Sequence, residues 1–126
     1  MTLSSYRVLI VDDNPTFVKT LSLLVQTVLG NKLSQLDTVS TGEDAIEMVS
    51  MNTPYNVIFM DVNMPGIGGV AATKEISKEY YRATRVVAVS FNKDLETMKS
   101  MLFSGATYYL HKDDLTLEKL VEIFDF

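Results

Sequence analysis

Five polar side chains stand where short apolar runs of the chain end: Asp12, Asp13, Asp61, Ser90 and, one residue later, Lys112. If those runs are parallel strands of one sheet, three carboxylates, a hydroxyl and an ammonium converge at one edge of it. Two like charges about 4 Å apart repel by roughly 4 kcal/mol at an effective dielectric constant near 20. The carboxylates therefore need either raised pKa values or a cation.

The pattern offers two sources of positive charge. Lys112 supplies one charge, and Mg²⁺ suits carboxylate, water and phosphate oxygens as ligands. A site with Mg²⁺, an ammonium and a hydroxyl donor stabilises the charge that spreads over a transferring phosphoryl group. A carboxylate beside such an ion is a competent nucleophile and yields an acyl phosphate. The pattern thus indicates phosphoryl chemistry at an aspartate.

Each of these side chains also has an ordinary structural explanation. Asp12 or Asp13 could cap a helix, and Asp61 could belong to a plain turn. Ser90 could be another helix cap, and Lys112 a solvated surface charge. Their joint occurrence at four strand ends is what favours a functional site.

The elements that must position these groups can be read from the apolar pattern. Continuous β-branched and aromatic runs are typical of strands that are buried on both faces. Four such runs are Val8–Val11, Val57–Met60, Val86–Val89 and Tyr108–Leu110, and residues 33–39 form a weaker fifth candidate.

The intervening segments have the spacing of helices. The first begins at Asn14-Pro15 and stops at Gly30, and the second begins at Thr41. Further helices are predicted over Val70–Tyr80, over Asp94–Phe103 with Leu95, Met98 and Leu102 on one face, and over Leu117–Phe124. Strand and helix thus alternate five times, which predicts an α/β fold with a doubly wound, five-stranded parallel sheet.

Composition limits the other possibilities. The 126 residues are enough for one domain, residues 1–126, and their net charge of −5 with no basic cluster argues against direct nucleic-acid binding. The absence of cysteine excludes thiolate chemistry, and we interpret the single histidine, His111, as a surface residue. No apolar run approaches the roughly 20 residues that cross a bilayer, so we expect a cytoplasmic protein without membrane contact.

Together these residues resemble the receiver domain of two-component response regulators over about residues 6–124. The matching motifs are Val11-Asp12-Asp13, Asp61-x-x-Met64-Pro65-x-x-x-Gly69, Ser90, and Gly105-Ala106 leading to Lys112. The resemblance implies a (βα)₅ flavodoxin-like fold with strand order 2-1-3-4-5.

The resemblance also implies a role for each site residue. Asp61 matches the aspartate that accepts a phosphoryl group from the phosphohistidine of a sensor histidine kinase or histidine phosphotransfer protein. Asp13, Asp61 and the main-chain carbonyl of Asn63 match the Mg²⁺ ligands, and Asp12 matches the acid that binds through water. Lys112 matches the lysine that pairs with the phosphoryl group.

Two further residues match the family's conformational switch. Ser90 matches the hydroxyl that turns toward the phosphoryl oxygens, and Tyr109 matches the aromatic whose rotamer follows it. Tyr108 is one residue out of register and is interpreted as packing. A phosphorylation-dependent homodimer through the fourth helix, fifth strand and fifth helix is the expected response.

Two departures from the commonest receiver pattern stand out. Lys112 is followed by Asp113 rather than proline, as in receivers of the NarL/FixJ type, which usually carry a DNA-binding domain. The chain therefore looks like a receiver cut from a longer transcriptional regulator, with a stand-alone receiver as the alternative. Phe91 follows the switch serine where many receivers have a small residue, and our hypothesis is that its ring slows attack by water.

Three other interpretations stay open at this point. A phosphatase of the haloacid dehalogenase type also forms an aspartyl phosphate, but its nucleophile follows the first strand in an Asp-x-Asp pattern. A degenerate receiver would never accept phosphate, although all five site positions are filled here. A flavodoxin would need a flavin phosphate loop, and no such motif is present in the sequence.

Overall fold

Strands and helices alternate along the chain, as predicted. The computed structural model describes residues 3–51 and 53–126. The strands are β1 (Tyr6–Val11), β2 (Leu33–Val39), β3 (Val57–Asp61), β4 (Arg85–Ser90) and β5 (Ala106–His111). The helices are α1 (Pro15–Leu29), α2 (Gly42–Met51), α3 (Gly68–Tyr80), α4 (Leu95–Ser104) and α5 (Leu117–Phe124). Short 3₁₀ turns cover Gly30–Lys32 and Lys112–Asp114.

The five strands form one parallel sheet in the order β2-β1-β3-β4-β5. This confirms the predicted doubly wound, flavodoxin-like architecture. The register matters for the site, because Val11 pairs with Met60 and brings Asp12 level with Asp61. Ser90 pairs with His111, which places Lys112 one residue beyond the same edge.

The two faces of the sheet carry separate apolar cores. On one face the strands pack against α1 and α5 through residues such as Phe17, Leu21, Leu120 and Phe124. On the other face they pack against α2, α3 and α4 through Ala45, Val49, Ala72, Ile76 and Met101. The strands β1, β3 and β4 are buried on both sides, which explains why their sequences do not alternate.

The helix signals in the sequence act as predicted. The Asn14 side chain accepts a hydrogen bond from the Phe17 backbone N–H at 3.1 Å, with Pro15 at the first helical position. Gly30 ends α1 with φ of 55° and donates its N–H to the Gln26 carbonyl. Before α2, the Thr41 hydroxyl accepts from the Asp44 N–H at 3.1 Å.

Helix α4 is the exception to the burial expected from an apolar stripe. Leu95 is 59% exposed and Leu102 is 44% exposed, although both lie on the predicted face. Met101 alone among the described α4 residues is buried, and the helix packs against α3 and β5. Among the described residues, no helix is long and apolar enough to cross a membrane.

Candidate functional site at the carboxyl edge of the sheet

The predicted side chains do meet at the carboxyl ends of the strands. Asp12 follows β1 and its N–H donates to the Val39 carbonyl of β2 at 3.0 Å. Asp61 ends β3, and the N–H of Val62 donates to the Val89 carbonyl of β4 at 3.2 Å. These main-chain bonds continue the sheet beyond its strands and fix where the carboxylates start.

Three carboxylates form a cluster there. One oxygen from each of Asp12, Asp13 and Asp61 lies within 4.8 Å of the others. Asp12 and Asp61 are buried, whereas Asp13 is exposed. Oxygen donors with this charge fit a hard divalent cation such as Mg²⁺, so the cluster could hold one.

Asp12 is oriented by the start of α1 without being its cap. Its Oδ1 accepts from the N–H of Asn14 at 2.9 Å, and Asn14 itself caps the helix. The explanation of Asp12 as a simple helix cap is therefore wrong. Its second oxygen, Oδ2, is left to face the interior of the site.

Lys112 occupies that interior and is not a solvated surface charge. Its Nζ lies 2.7 Å from Oδ2 of Asp12 and 3.5 Å from Oδ1 of Asp61. The ring centroids of Phe17 and Phe91 lie 4.6 Å and 5.2 Å from the same nitrogen. Two carboxylates and two aromatic faces thus confine the ammonium.

The protonation of Asp61 reflects this crowding. Burial, together with the nearby charge of Asp12, raises the pKa of Asp61 to about 7. Lys112 and a hydrogen bond from the Asn63 backbone N–H act in the opposite direction but do not cancel the rise. Without a further cation, Asp61 therefore holds its proton far more readily than an ordinary aspartate.

The loop after Asp61 is held by Gly69. The Gly69 N–H donates to the Val62 carbonyl at 3.0 Å as α3 begins. A Cβ at position 69 would overlap the Asp61 carbonyl oxygen and lie 2.8 Å from the Val62 Cα. Only glycine lets the backbone of α3 come this close, which explains the last residue of the Asp61 motif.

Ser90 is buried at the end of β4, and its hydroxyl belongs to a chain of hydrogen bonds. The Ser90 Oγ accepts from the Asn92 N–H at 2.9 Å, and the Asn92 carbonyl accepts from the Tyr109 hydroxyl at 2.9 Å. The cap of α4 is Asp94 rather than Ser90, so that explanation of Ser90 is wrong. Asn92 connects Ser90 to Tyr109 and was not predicted, although Asn-x-Asp is a common turn signal.

His111 is not the surface residue that the sequence suggested. Its side chain is only 10% exposed, because Ser90 pairs with His111 and the loop after Ser90 covers the ring. Nε2 lies 2.7 Å from the Phe91 carbonyl, and Nδ1 lies 3.3 Å from the Asp113 backbone nitrogen.

Phe91 and Tyr108 are two aromatic residues for which the sequence suggested roles, the first in restricting water and the second in packing. Phe91 is 56% exposed and borders a cleft of about 250 Å³ that reaches Lys112 from the side of Phe17 and Leu115. Tyr108 packs against the core beneath α1 and α5, whereas Tyr109 packs on the opposite face of the sheet. The interpretation of Tyr108 as packing is consistent with this position.

Comparison with known proteins identifies relatives along nearly the whole chain. Residues 8–125 match the response regulator receiver domain family. Protein PilH of Pseudomonas aeruginosa is 32% identical over 118 residues, covering 91% of this chain and 93% of PilH. The transcriptional regulatory protein DegU of Brevibacillus brevis is 30% identical over 92% of this chain.

Other relatives are much longer proteins. The autoinducer 2 sensor kinase/phosphatase LuxQ of Vibrio harveyi is 32% identical over 86% of this chain. The matched segments make up 12% of LuxQ and 47% of DegU. The chain thus corresponds to one part of these proteins.

Solved structures share the architecture of the chain. The signal receiver domain of the regulator NarL from Mycobacterium tuberculosis superimposes with a TM-score of 0.82 and 25% identity, covering 96% of this chain and 94% of that domain. A CheX–CheY–BeF₃–Mg²⁺ complex from Borrelia burgdorferi has a chain that superimposes with a TM-score of 0.80 at 24% identity, covering 93% and 84%. The second likeness concerns the fold alone.

Proposed function

Because the chain belongs to the response regulator receiver domain family, whose members are phospho-accepting switches, we propose that it accepts a phosphoryl group on Asp61. The donor is a phosphohistidine of a sensor histidine kinase or of a histidine phosphotransfer protein. The observation that carries the proposal is the burial of Asp61 beside Lys112, Asp12 and Asp13 at the carboxyl edge of the sheet.

The transfer itself is a nucleophilic displacement at phosphorus. A carboxylate oxygen of Asp61 forms the new O–P bond while the P–N bond to the donor imidazole breaks, and the imidazole leaves with a proton from solvent. Asp13, Asp61 and the main-chain carbonyl of Asn63 would hold Mg²⁺, with Asp12 reaching the ion through water, and the ion would supply positive charge for the phosphoryl oxygens. Lys112 supplies the second positive charge from its position between Asp12 and Asp61.

The switch follows from the hydrogen bonds of Ser90. When its hydroxyl turns to a phosphoryl oxygen, it gives up the bond from the Asn92 N–H. The loop that carries Asn92 then shifts, and the Tyr109 hydroxyl loses the carbonyl that it now contacts. Moving such an equilibrium from 1:99 to 99:1 takes about 5.5 kcal/mol, so several of these contacts have to change together.

The response is association with another molecule through α4, β5 and α5. Large apolar side chains already face solvent on this surface, namely Leu95, Leu102, Phe103, Leu117 and Val121. We propose a phosphorylation-dependent homodimer and an output in transcription, through a DNA-binding domain of a longer regulator of which this chain would be the receiver. The similarity to DegU supports this output, because DegU is a transcriptional regulatory protein and the matched segment is about half of its length.

The direct test is the intact mass after incubation with Mg²⁺ and acetyl phosphate. One phosphoryl adduct that requires Mg²⁺ and is absent from Asp61→Asn is the expected result. The matched control is Asp114→Asn, an exposed aspartate outside the carboxylate cluster, which should still take the adduct.

Two outcomes would contradict the proposal. Failure of both acetyl phosphate and a phosphohistidine protein to modify the chain would favour an interaction domain that works without phosphate. Turnover of generic phosphate monoesters would revive the phosphatase interpretation.

A further inference from the structure

Two side chains of β5 hold consecutive carbonyl groups of the loop that follows Ser90. The Tyr109 hydroxyl donates to the Asn92 carbonyl, and His111 Nε2 contacts the Phe91 carbonyl at 2.7 Å. The proposed switch uses only the first of these contacts. The contact of His111 with the Phe91 carbonyl has no role in that switch, so the function of this nearly buried imidazole is still to be explained.

The backbone partners of His111 match one tautomer of its neutral ring. A carbonyl can only accept, so Nε2 carries the proton and donates to Phe91. A backbone N–H can only donate, so an unprotonated Nδ1 can accept from the Asp113 N–H, and the Asp113 carboxylate lies 3.7 Å from the same nitrogen. The neutral imidazole with its proton on Nε2 therefore satisfies both contacts.

The contact between Nδ1 and the Asp113 N–H orders the turn that contains Lys112. His111 caps this short turn, Lys112–Asp114, through the Asp113 N–H. Lys112 is the residue between the two that make this bond, and the Leu115 N–H closes the turn onto the Lys112 carbonyl at 3.4 Å. The backbone from which the ammonium extends is thus set by His111.

The imidazole consequently adds a side-chain link between two segments that begin just beyond the paired residues Ser90 and His111. One end holds the loop that carries Phe91 and follows Ser90, and the other holds the turn that carries Lys112. The Phe91 ring also lies edge-on to the imidazole, with centroids 6.4 Å apart. His111 therefore also contacts the Phe91 ring, which borders Lys112.

We infer that His111 is a positioning residue for phosphoryl transfer to Asp61, acting through its neutral, Nε2-protonated imidazole on Lys112 and on the loop after Ser90. The inference rests on the proposed function. The polar contacts of the His111 ring are with Phe91 and Asp113 rather than with the acceptor or the carboxylate cluster. Its loss should therefore slow transfer while leaving Mg²⁺ binding unchanged.

Three substitutions distinguish the Nε2 contact of His111 from its Nδ1 contact. His111→Gln keeps a donor at the ε position for the Phe91 carbonyl and loses the acceptor for Asp113. His111→Asn keeps an acceptor at the δ position for Asp113 and loses the donor for Phe91. His111→Leu retains a side chain of similar bulk and loses both contacts.

The experiment measures the rate of phosphorylation by acetyl phosphate and, separately, the Mg²⁺ concentration that gives half of the thermal stabilisation. We expect His111→Leu, which loses two hydrogen bonds, to slow phosphorylation about tenfold. His111→Gln and His111→Asn should each fall between this variant and the unmodified chain. The half-saturating Mg²⁺ concentration should not change in any of them.

Each other outcome overturns the inference in a recognisable way. Equal phosphorylation rates in all four proteins would remove the positioning role and leave the proposed function intact. A parallel loss of Mg²⁺ binding and of rate would assign His111 to general structure instead. If the unmodified chain takes no phosphoryl group, the proposed function and the inference fail together. A nitrogen NMR spectrum showing the proton on Nδ1 would overturn the mechanism directly.

Discussion

The ammonium of Lys112 lies 2.7 Å from Oδ2 of Asp12, and both side chains are buried. The pair holds the lysine inside the site before any phosphoryl group arrives. In the function that we propose, the same ammonium would turn toward the oxygens of a phosphoryl group on Asp61 and leave Asp12. The lysine would then pair with the carboxylate cluster in one state and with the phosphoryl group in the other.

Replacing Lys112 by methionine should destabilise the Mg²⁺-free protein by roughly 3 kcal/mol, because removing one partner leaves buried carboxylates uncompensated. Added Mg²⁺ should restore part of that loss. The measurement is urea unfolding with and without the ion, and Lys74→Met, at an exposed position of α3, is the control. Equal destabilisation by the two substitutions would contradict the pairing.

The stability of the Mg²⁺-free protein should change with pH because the carboxyl group of Asp61 titrates. Its pKa rises from 3.8 to about 7 on folding, chiefly through burial. Between these values the folded protein holds a proton that the unfolded chain has lost, so stability falls as the pH increases, by on the order of 2 kcal/mol. Asp61→Asn should abolish this fall.

Urea unfolding at about pH 5 and about pH 8 measures the effect. Glu79→Gln, an exposed position on α3, should retain the pH dependence of the unmodified protein. Saturating Mg²⁺ should also flatten the dependence, because the ion favours the ionised carboxyl. A stability that increases with pH through this range would show that Asp61 is not buried as described.

Substituting Gly69 by alanine should cost roughly 3 kcal/mol of stability and slow phosphorylation, because the added Cβ meets the backbone of Asp61. Gly30→Ala is an informative comparison. No atom lies within 4 Å of a Cβ there, but φ is positive, so it should cost about 1 to 2 kcal/mol and leave phosphorylation unchanged. Chemical denaturation and the acetyl phosphate reaction distinguish the two glycines.

Phe91→Ala should shorten the lifetime of the phosphorylated protein severalfold if the ring restricts water beside Lys112. The substitution keeps the main-chain carbonyl that His111 contacts, so it isolates the ring. The measurement is the loss of the phosphoryl adduct with time. Tyr81→Ala removes an exposed aromatic elsewhere, and an identical lifetime in both variants would exclude the hypothesis.

Phosphorylation should promote association, and aspartate at Phe103 or Val121 should prevent it by placing charge in the apolar surface. Sedimentation of the phosphorylated and unphosphorylated forms measures the effect. Leu23→Asp, on an exposed position of α1, is the matched control and should still associate. A dimer content that is the same in both phosphorylation states would rule out this response.

The sequence predicted the sheet and the convergence of the three carboxylates and Lys112 at its edge, because both depend on strong local signals. Buried runs in β1, β3 and β4 do not alternate, and the polar residue that ends each run is found where parallel strands end. Strand β2, at the edge of the sheet, was recognised only weakly because its side chains are partly buried. Caps such as Asn14 fixed the helix starts.

What the sequence did not predict depends on contacts between distant segments. The His111 side chain is nearly covered by a loop twenty positions earlier in the chain, and nothing beside it in sequence signals that contact. Asn92 connects Ser90 and Tyr109 only because β4 and β5 are neighbours. Helix α4 has an apolar stripe with Leu95 and Leu102, but Met101 is its buried residue. Periodicity alone therefore predicted the wrong buried face.

The burial of a single α4 side chain has an energetic consequence. Met101 is the one buried side chain among its described residues, so we expect this helix to contribute less to the free energy of global unfolding than helices with several buried side chains. We therefore expect its amide protons to exchange with solvent through local opening, at a lower free energy than those of β1 or β3. Helix α4 can then rearrange while the sheet remains folded, so the switch that we propose would draw on only a small share of the total stability.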